Sequence, residues 1–180
     1  MDLSFKYSLE GQESERLLFR PVNETDFDTW LRFCAFPDSV KYIFSQEQLA
    51  VNDPVEYCKI WFKRVYHRYE NKLGGMNALI DKQTHEMVGQ CGLLIQNIDD
   101  IEELEIGYSL MPEYRGKGYA LEAARKCKEF AFQNNFRDSL ISTIHIENHT
   151  SAKVAKANGM YLDKTTISHG DPVNIFRIKK

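Results

Sequence analysis

The chain changes its period at Gly118, and that change limits what it can fold into. Before it, ELEIGYSLM (103–111) alternates, with Leu104, Ile106, Tyr108 and Leu110 on one face and Glu103, Glu105, Gly107 and Ser109 on the other. That is the pattern of a strand with one buried face. After it, Ala120, Ala123, Ala124, Cys127 and Ala131 form a helical stripe, small enough for the helix to lie close on a sheet. Between the two lies Arg115-Gly116-Lys117-Gly118. The paired glycines let the backbone turn tightly and leave its N–H groups uncovered, and the helix N-terminus adds partial positive charge. Such a turn suits a phosphate or pyrophosphate, and Arg115 and Lys117 add charge. The run lacks the GxxxxGK[ST] of a P-loop, and Gly116-x-Gly118 continues to Leu121 where a dinucleotide fingerprint needs glycine.

The remaining elements follow from period and punctuation. Residues 16–21 read as a first strand, and Asn23 or Thr25 caps a helix bearing Phe27, Trp30, Leu31 and Cys34. A polar, aromatic-rich stretch runs to about Asn52. A second helix opens at Asp53-Pro54, carries Cys58, Phe62, Val65 and Tyr69, and ends at Gly74-Gly75. Strands at 76–81, 86–96 and 103–111 are joined by turns too short for anything but antiparallel pairing. The helix after Gly118, a strand at 139–147, a short helix at 149–158 stopped by Gly159 and a hairpin across His169–Asp171 complete the chain. The order implies a single domain, α/β (α+β), with one central, mostly antiparallel sheet. Residues 1–14 are polar enough for disorder or a short edge strand.

Charge and cysteines narrow the function classes. With 23 basic and 26 acidic residues the net charge is −3, which argues against nucleic-acid binding through bulk positive charge. No run resembles a signal peptide or approaches a spanning helix. Cys34, Cys58, Cys91 and Cys127 are scattered, so reduced thiols in the cytoplasm are expected. The five histidines lack metal-ligand spacing, so no metal is expected.

Arg115-x-x-Gly118-x-Ala120 matches the Q/R-x-x-G-x-G/A motif, and LEIGYSLMPEYRGKGYALEAA resembles the RimJ/RimL branch of the GNAT N-acetyltransferases. Glu147-Asn148-His149-Thr150-Ser151 through Asn158-Gly159-Met160 resembles the E-N-x-x-S…K-x-G-F of the same family. The resemblance implies a sheet with helices on both faces and acetyl-CoA as co-substrate. It implies a pyrophosphate held over Arg115, Gly116, Lys117, Gly118, Tyr119 and Ala120. It also implies that strands 103–111 and 139–147 splay into a V that receives pantetheine. The N–H of Leu110 or Met111 then donates to the thioester oxygen, and Asn148 contacts pantetheine. Glu105 takes the place of the general base, needed because an alkyl ammonium is protonated at neutral pH. Glu103 shares its face and is the alternative; a solvated strand carboxylate is the competing reading.

The family's Tyr on the late helix is replaced by Ala155; the resemblance to the RimL-like branch, which places a Ser after the Asn, implies Ser151 as proton donor to the leaving thiolate, with Tyr108 and Tyr161 weaker. His145 lies on a strand lining the V. The resemblance implies a small-molecule or peptide amine as acceptor, its choice set by about Thr25–Lys72. A non-catalytic acyl-CoA sensor and a module for another phosphate are the competing functions. No membrane or nucleic-acid partner is expected, and a homodimer through the last strands is compatible with the sequence.

Overall fold

A computed structural model of the protein describes residues 6–180. Strand β1 (Leu17–Pro21) leads into a 3-10 turn, Glu24–Asp26, and helix α1 (Phe27–Cys34). Asn23 Oδ1 accepts the Thr25 N–H at 2.9 Å while Asp26 Oδ2 accepts the Asn23 N–H at 3.0 Å, a reciprocal cap. Two short helices follow, α2 (Pro37–Val40) and α3 (Gln46–Ala50), in the stretch the sequence leaves unassigned; pieces of four and five residues carry no readable period.

Helix α4 (Pro54–Glu70) starts as expected, with Asp53 Oδ1 accepting the Val55 N–H at 2.9 Å. Its end differs from the expectation. The chain turns at Lys72 (φ +56), and Gly74 and Gly75 open strand β2 (Gly74–Asp81) instead. They are glycines because neighbours come close: a Cβ at Gly74 would sit 2.0 Å from the Leu93 carbonyl oxygen, and one at Gly75 would sit 2.6 Å from the Tyr69 ring.

Strands β3 (Met87–Ile98) and β4 (Ile101–Leu110) form a hairpin through Asp99 and Asp100, both at positive φ, the turn that matches strand twist. Helix α5 (Tyr119–Gln133), strand β5 (Ser139–His145), helix α6 (His149–Ala157) and strands β6 (Tyr161–Ser168) and β7 (Asp171–Lys179) follow. The seven strands form one sheet in the order β1-β2-β3-β4-β5-β7-β6, antiparallel except where β4 meets β5. Strand β6 is an outer edge and bears exposed Leu162 and Ile167. At the N-terminal end, the expectation for residues 1–14 falls partly outside the described residues; within them Glu13 makes a single bridge to Leu18, and no strand forms.

Alternation along the central strands feeds two large cores, one on each face of the sheet. Leu93, Leu104 and Ile106 face α5, together with Ala123, Ala124 and Cys127 of its small-residue stripe. Leu94 and Ala78 face α1 and α4 on the opposite side. There Trp30 stacks on Phe33 at 4.1 Å and lies 5.1 Å from Trp61. All four cysteines are free and buried, with Cys91 and Cys127 Sγ atoms 3.4 Å apart. Among the described residues no helix is long and apolar enough to cross a membrane.

Trp30 is fully buried, yet its Nε1 has no hydrogen-bond partner among the described residues. Trp30→Ala should therefore cost about 3–5 kcal/mol by urea unfolding. Trp30→Phe, which also removes the unpaired donor, should cost clearly less.

Candidate active site

Strands β4 and β5 run in the same direction but share one register pair, Glu105 with Ile141. A continued parallel ladder would bring the Thr143 amide to the Ile106 carbonyl. Side chains satisfy both groups instead. Thr143 N–H donates to Glu105 Oε1 at 2.9 Å, and Ser142 Oγ donates to the Ile106 carbonyl at 2.8 Å. From there the strands part, so the V opens toward their C-terminal ends.

The open side of β4 offers backbone groups. Met111 N–H donates to the Val88 carbonyl at 3.0 Å, so of the two amides expected to meet a thioester oxygen, that of Met111 is taken. Opposed residues in an antiparallel ladder alternate between exchanging bonds and exchanging none. The Leu110–Gly89 pair is therefore of the second kind, and the Leu110 N–H points away from β3 into the V. Its carbonyl points the same way and accepts Arg115 Nε at 3.1 Å.

The glycine loop lies at the same end. Gly116 (φ +74) and Gly118 (φ +85) are left-handed, a conformation that costs other residues roughly 1–2 kcal/mol. None of the amides of Gly116, Lys117, Gly118, Tyr119, Ala120 and Leu121 has an acceptor among the described residues. A helix start accounts for the later ones; the turn extends the run of amide donors backwards to Gly116, the kind of set that binds phosphate groups.

The side chains of the loop do other work. Arg115 turns inward, with Nη2 donating to Ser39 Oγ at 2.5 Å, so it fastens the loop to α2 in addition to carrying charge. Lys117 Nζ rests 5.2 Å from the Tyr114 ring centre. Tyr119 is buried and its hydroxyl donates to Asp81 Oδ2 at 2.6 Å.

The two strand carboxylates differ in environment. Glu103 forms a two-point ion pair with Arg177, at 2.7 and 3.2 Å, which leaves it poorly placed as a base. Glu105 is only 8% exposed, so the solvated reading fails. Its Oε2 accepts Gln96 Nε2 at 2.6 Å, and Gln96 Oε1 in turn accepts Arg68 Nη2 at 3.1 Å. Burial pushes the Glu105 carboxyl up from its ordinary value; the Thr143 and Gln96 hydrogen bonds and the Arg68 charge pull the other way without cancelling it.

Helix α6 borders the opening. Asn148 Oδ1 caps it by accepting the Ser151 N–H at 3.1 Å; its Nδ2 has no partner among the described residues. The Tyr108 hydroxyl donates to the Ser151 carbonyl at 2.8 Å, and burial pushes the Tyr108 phenol up, which makes it a poor acid. Ala155 is buried with Ile144, Met160 and Phe176. Tyr161 is on the outer strand with its side largely exposed. The His145 ring stacks on Tyr42 at 4.8 Å, and its Nδ1 accepts the Glu147 N–H at 3.2 Å. Among the described residues no group of three or more His, Cys, Asp or Glu converges on a metal position.

The family model for the GNAT acetyltransferase domain matches residues 16–161. The chain belongs to the GNAT acetyltransferase family. It is 35% identical to the uncharacterised protein YkkB of Bacillus subtilis (strain 168) over 99 residues, 55% of this chain and 58% of that protein. It is 26% identical to the uncharacterised N-acetyltransferase p20 of Bacillus licheniformis over 81% of this chain and 79% of that one. Among solved structures, an acetyltransferase from Agrobacterium tumefaciens str. C58 superposes with a TM-score of 0.76 at 24% identity, over 98% of both chains. RimL, a ribosomal L7/L12 alpha-N-protein acetyltransferase in complex with coenzyme A, gives 0.72 at 16% identity over 94% of this chain and 97% of that one. Spermidine N-acetyltransferase from Vibrio cholerae, in complex with CoA and spermine, gives 0.70 at 15% over 91% and 95%.

In this GNAT chain the sequence reading missed the parts that support the site. Ser142 and Thr143 carry no motif, yet they end the ladder. Gln96 and Arg68 reach Glu105 from β3 and α4, separations that no spacing rule spans. The Glu105 environment has a measurable consequence. Its folded value lies above the ordinary 4.5, so ionising it in the folded GNAT chain costs stability. As pH rises from about 4.5 through the raised value, the wild type should lose stability relative to Glu105→Gln, read by urea unfolding at stepped pH.

Proposed function

We propose that this chain acts as one acetyltransferase domain that moves an acetyl group from acetyl-CoA to a primary amine, working in the cytoplasm. The observation that carries this is the run of unpaired amides from Gly116 to Leu121 beside the parted ends of β4 and β5. When bound there, acetyl-CoA supplies an activated thioester. The loop amides hold its pyrophosphate, Asn148 Nδ2 meets pantetheine, and the Leu110 N–H stabilises the charge that develops on the thioester oxygen. The amine nitrogen attacks the carbonyl carbon, its proton passes to Glu105 directly or through water, and the carbon–sulfur bond breaks. Ser151 Oγ gives a proton to the leaving sulfur and regains one from solvent. Acceptors of peptide or polyamine type follow from the named substrates of RimL and the spermidine enzyme.

A competing reading is an acyl-CoA-binding module without turnover. It is favoured by one observation: both Glu105 oxygens already accept hydrogen bonds. A carboxylate has about four acceptor positions, so two remain for an amine or a water.

Calorimetry with acetyl-CoA, followed by release of free CoA thiol over a panel of peptides, amino acids and polyamines, separates these. We expect binding, and turnover with at least one class. Gly118→Glu, which adds a strained side chain and a negative charge to the anion site, should abolish binding. Wild-type binding with no turnover on any amine would favour the module, and absence of binding would remove both readings. Glu105→Gln should lower kcat by about 100-fold or more with acetyl-CoA affinity within about threefold, whereas Glu103→Gln should leave kcat within about threefold. Because the active Glu105 is ionised, kcat/KM should rise with pH through its raised value, and that limb should vanish in Glu105→Gln.

A further inference from the structure

We propose that Arg16, at the entry to β1, is a positioning residue that sets the orientation of the glycine loop's central peptide. Arg16 Nη1 donates to the Lys117 carbonyl at 3.0 Å. In a trans peptide the C=O and the next N–H point in opposite directions. Holding the Lys117 carbonyl toward Arg16 therefore turns the Gly118 N–H the other way, toward the position read above as the pyrophosphate site; the inference rests on that reading.

The guanidinium is itself fixed from two sides. Its Nε donates to Glu122 Oε2 at 2.7 Å, and its plane lies 4.1 Å from the Tyr119 ring centre. That ring is held from below by the Tyr119–Asp81 hydrogen bond. The planar fork reaches Glu122 and Lys117 at once, which a lysine ammonium on one flexible stem does not.

The arrangement also resolves an electrostatic conflict. Glu122 is in the first turn of α5, where a carboxylate suits the helix dipole but repels a bound anion. Its Oε1 accepts the Arg16 N–H at 2.7 Å and Ser14 Oγ at 2.6 Å, while Oε2 faces the guanidinium. The carboxylate is thus covered on both oxygens. Arg16 Nη2 comes within 3.4 Å of where a Gly118 Cβ would be, so a side chain at Gly118 would disturb the clamp as well as strain the turn.

The test is calorimetry with coenzyme A on wild type, Arg16→Met and Arg16→Met/Glu122→Gln, together with the amide resonance of Gly118 in each free protein. We expect Arg16→Met to raise the CoA Kd about tenfold, the loss of one charge-assisted hydrogen bond, and to move the Gly118 amide resonance. The double variant, free of the uncovered carboxylate, should stay within about threefold of Arg16→Met. Recovery of wild-type affinity in the double variant would mean that Arg16 only neutralises Glu122, and would overturn positioning. Unchanged affinity in Arg16→Met would overturn it also. If Arg16→Met does not fold, Arg16→Lys should shift Kd and resonance in the same directions, and its failure to do so would count against the proposal. A wild type that does not bind CoA would overturn the reading of the loop itself, a result distinct from equal binding by wild type and variant.

Discussion

The split between β4 and β5 organises the molecule. A sheet strand that loses its neighbour leaves backbone donors and acceptors without partners, and a buried unpaired group costs roughly 1–3 kcal/mol. Here the last rung is replaced by side chains, Glu105 on one strand and Ser142 on the other. The ladder stops cleanly, and the groups left unpaired lie beyond it, at Leu110 and in the loop that follows. The parallel direction of these two strands matters equally, because it brings their C-terminal ends, the α5 and α6 N-termini, to one place.

Glu105 thus has two demands on one carboxylate. As a strut it accepts the Thr143 amide; as the proposed base it must lose a proton near neutral pH. Burial reconciles them in part. It raises the carboxyl toward the range where a general base works best, while the hydrogen bonds from Thr143 and Gln96 keep the ionised form supported. Glu103, two residues earlier on the same face, has the opposite outcome because Arg177 from β7 reaches it with two nitrogens. Two carboxylates with the same sequence signature become a candidate base and an ion-paired fastener.

What the sequence made legible was local. The alternation at 103–111, the small-residue stripe after Gly118, the helix start at Asp53-Pro54 and the hairpin turns each depend on residues within a few positions, and each forms as read; Asn23 caps the 3-10 turn ahead of α1 and not α1 itself. The loop 115–120 was legible for the same reason. What was not legible depends on distance along the chain. Glu105 was read as the candidate base, with a solvated strand carboxylate as the competing reading because acidic residues are usually exposed; nothing in its neighbourhood in sequence marks its burial against α4 and β5. The end of α4 was misplaced because Gly74 and Gly75 look like a helix stop, whereas they answer close contacts with Leu93 and Tyr69. Arg16 gave no signal, since its partners lie about a hundred positions on.

The presence of two large cores, one on each face of the sheet, has a spectroscopic consequence. The chain has two tryptophans, and both Trp30 and Trp61 belong to the core under α1 and α4. None lies beside α5 and the glycine loop. Trp61 touches the sheet through its Nε1, which donates to Gln90 Oε1 at 2.9 Å. Intrinsic fluorescence is therefore a one-sided reporter: it registers changes in the core under α1 and α4, and it senses the loop through Arg115, whose Cζ lies 6.0 Å from the centre of the Phe33 ring on which Trp30 stacks.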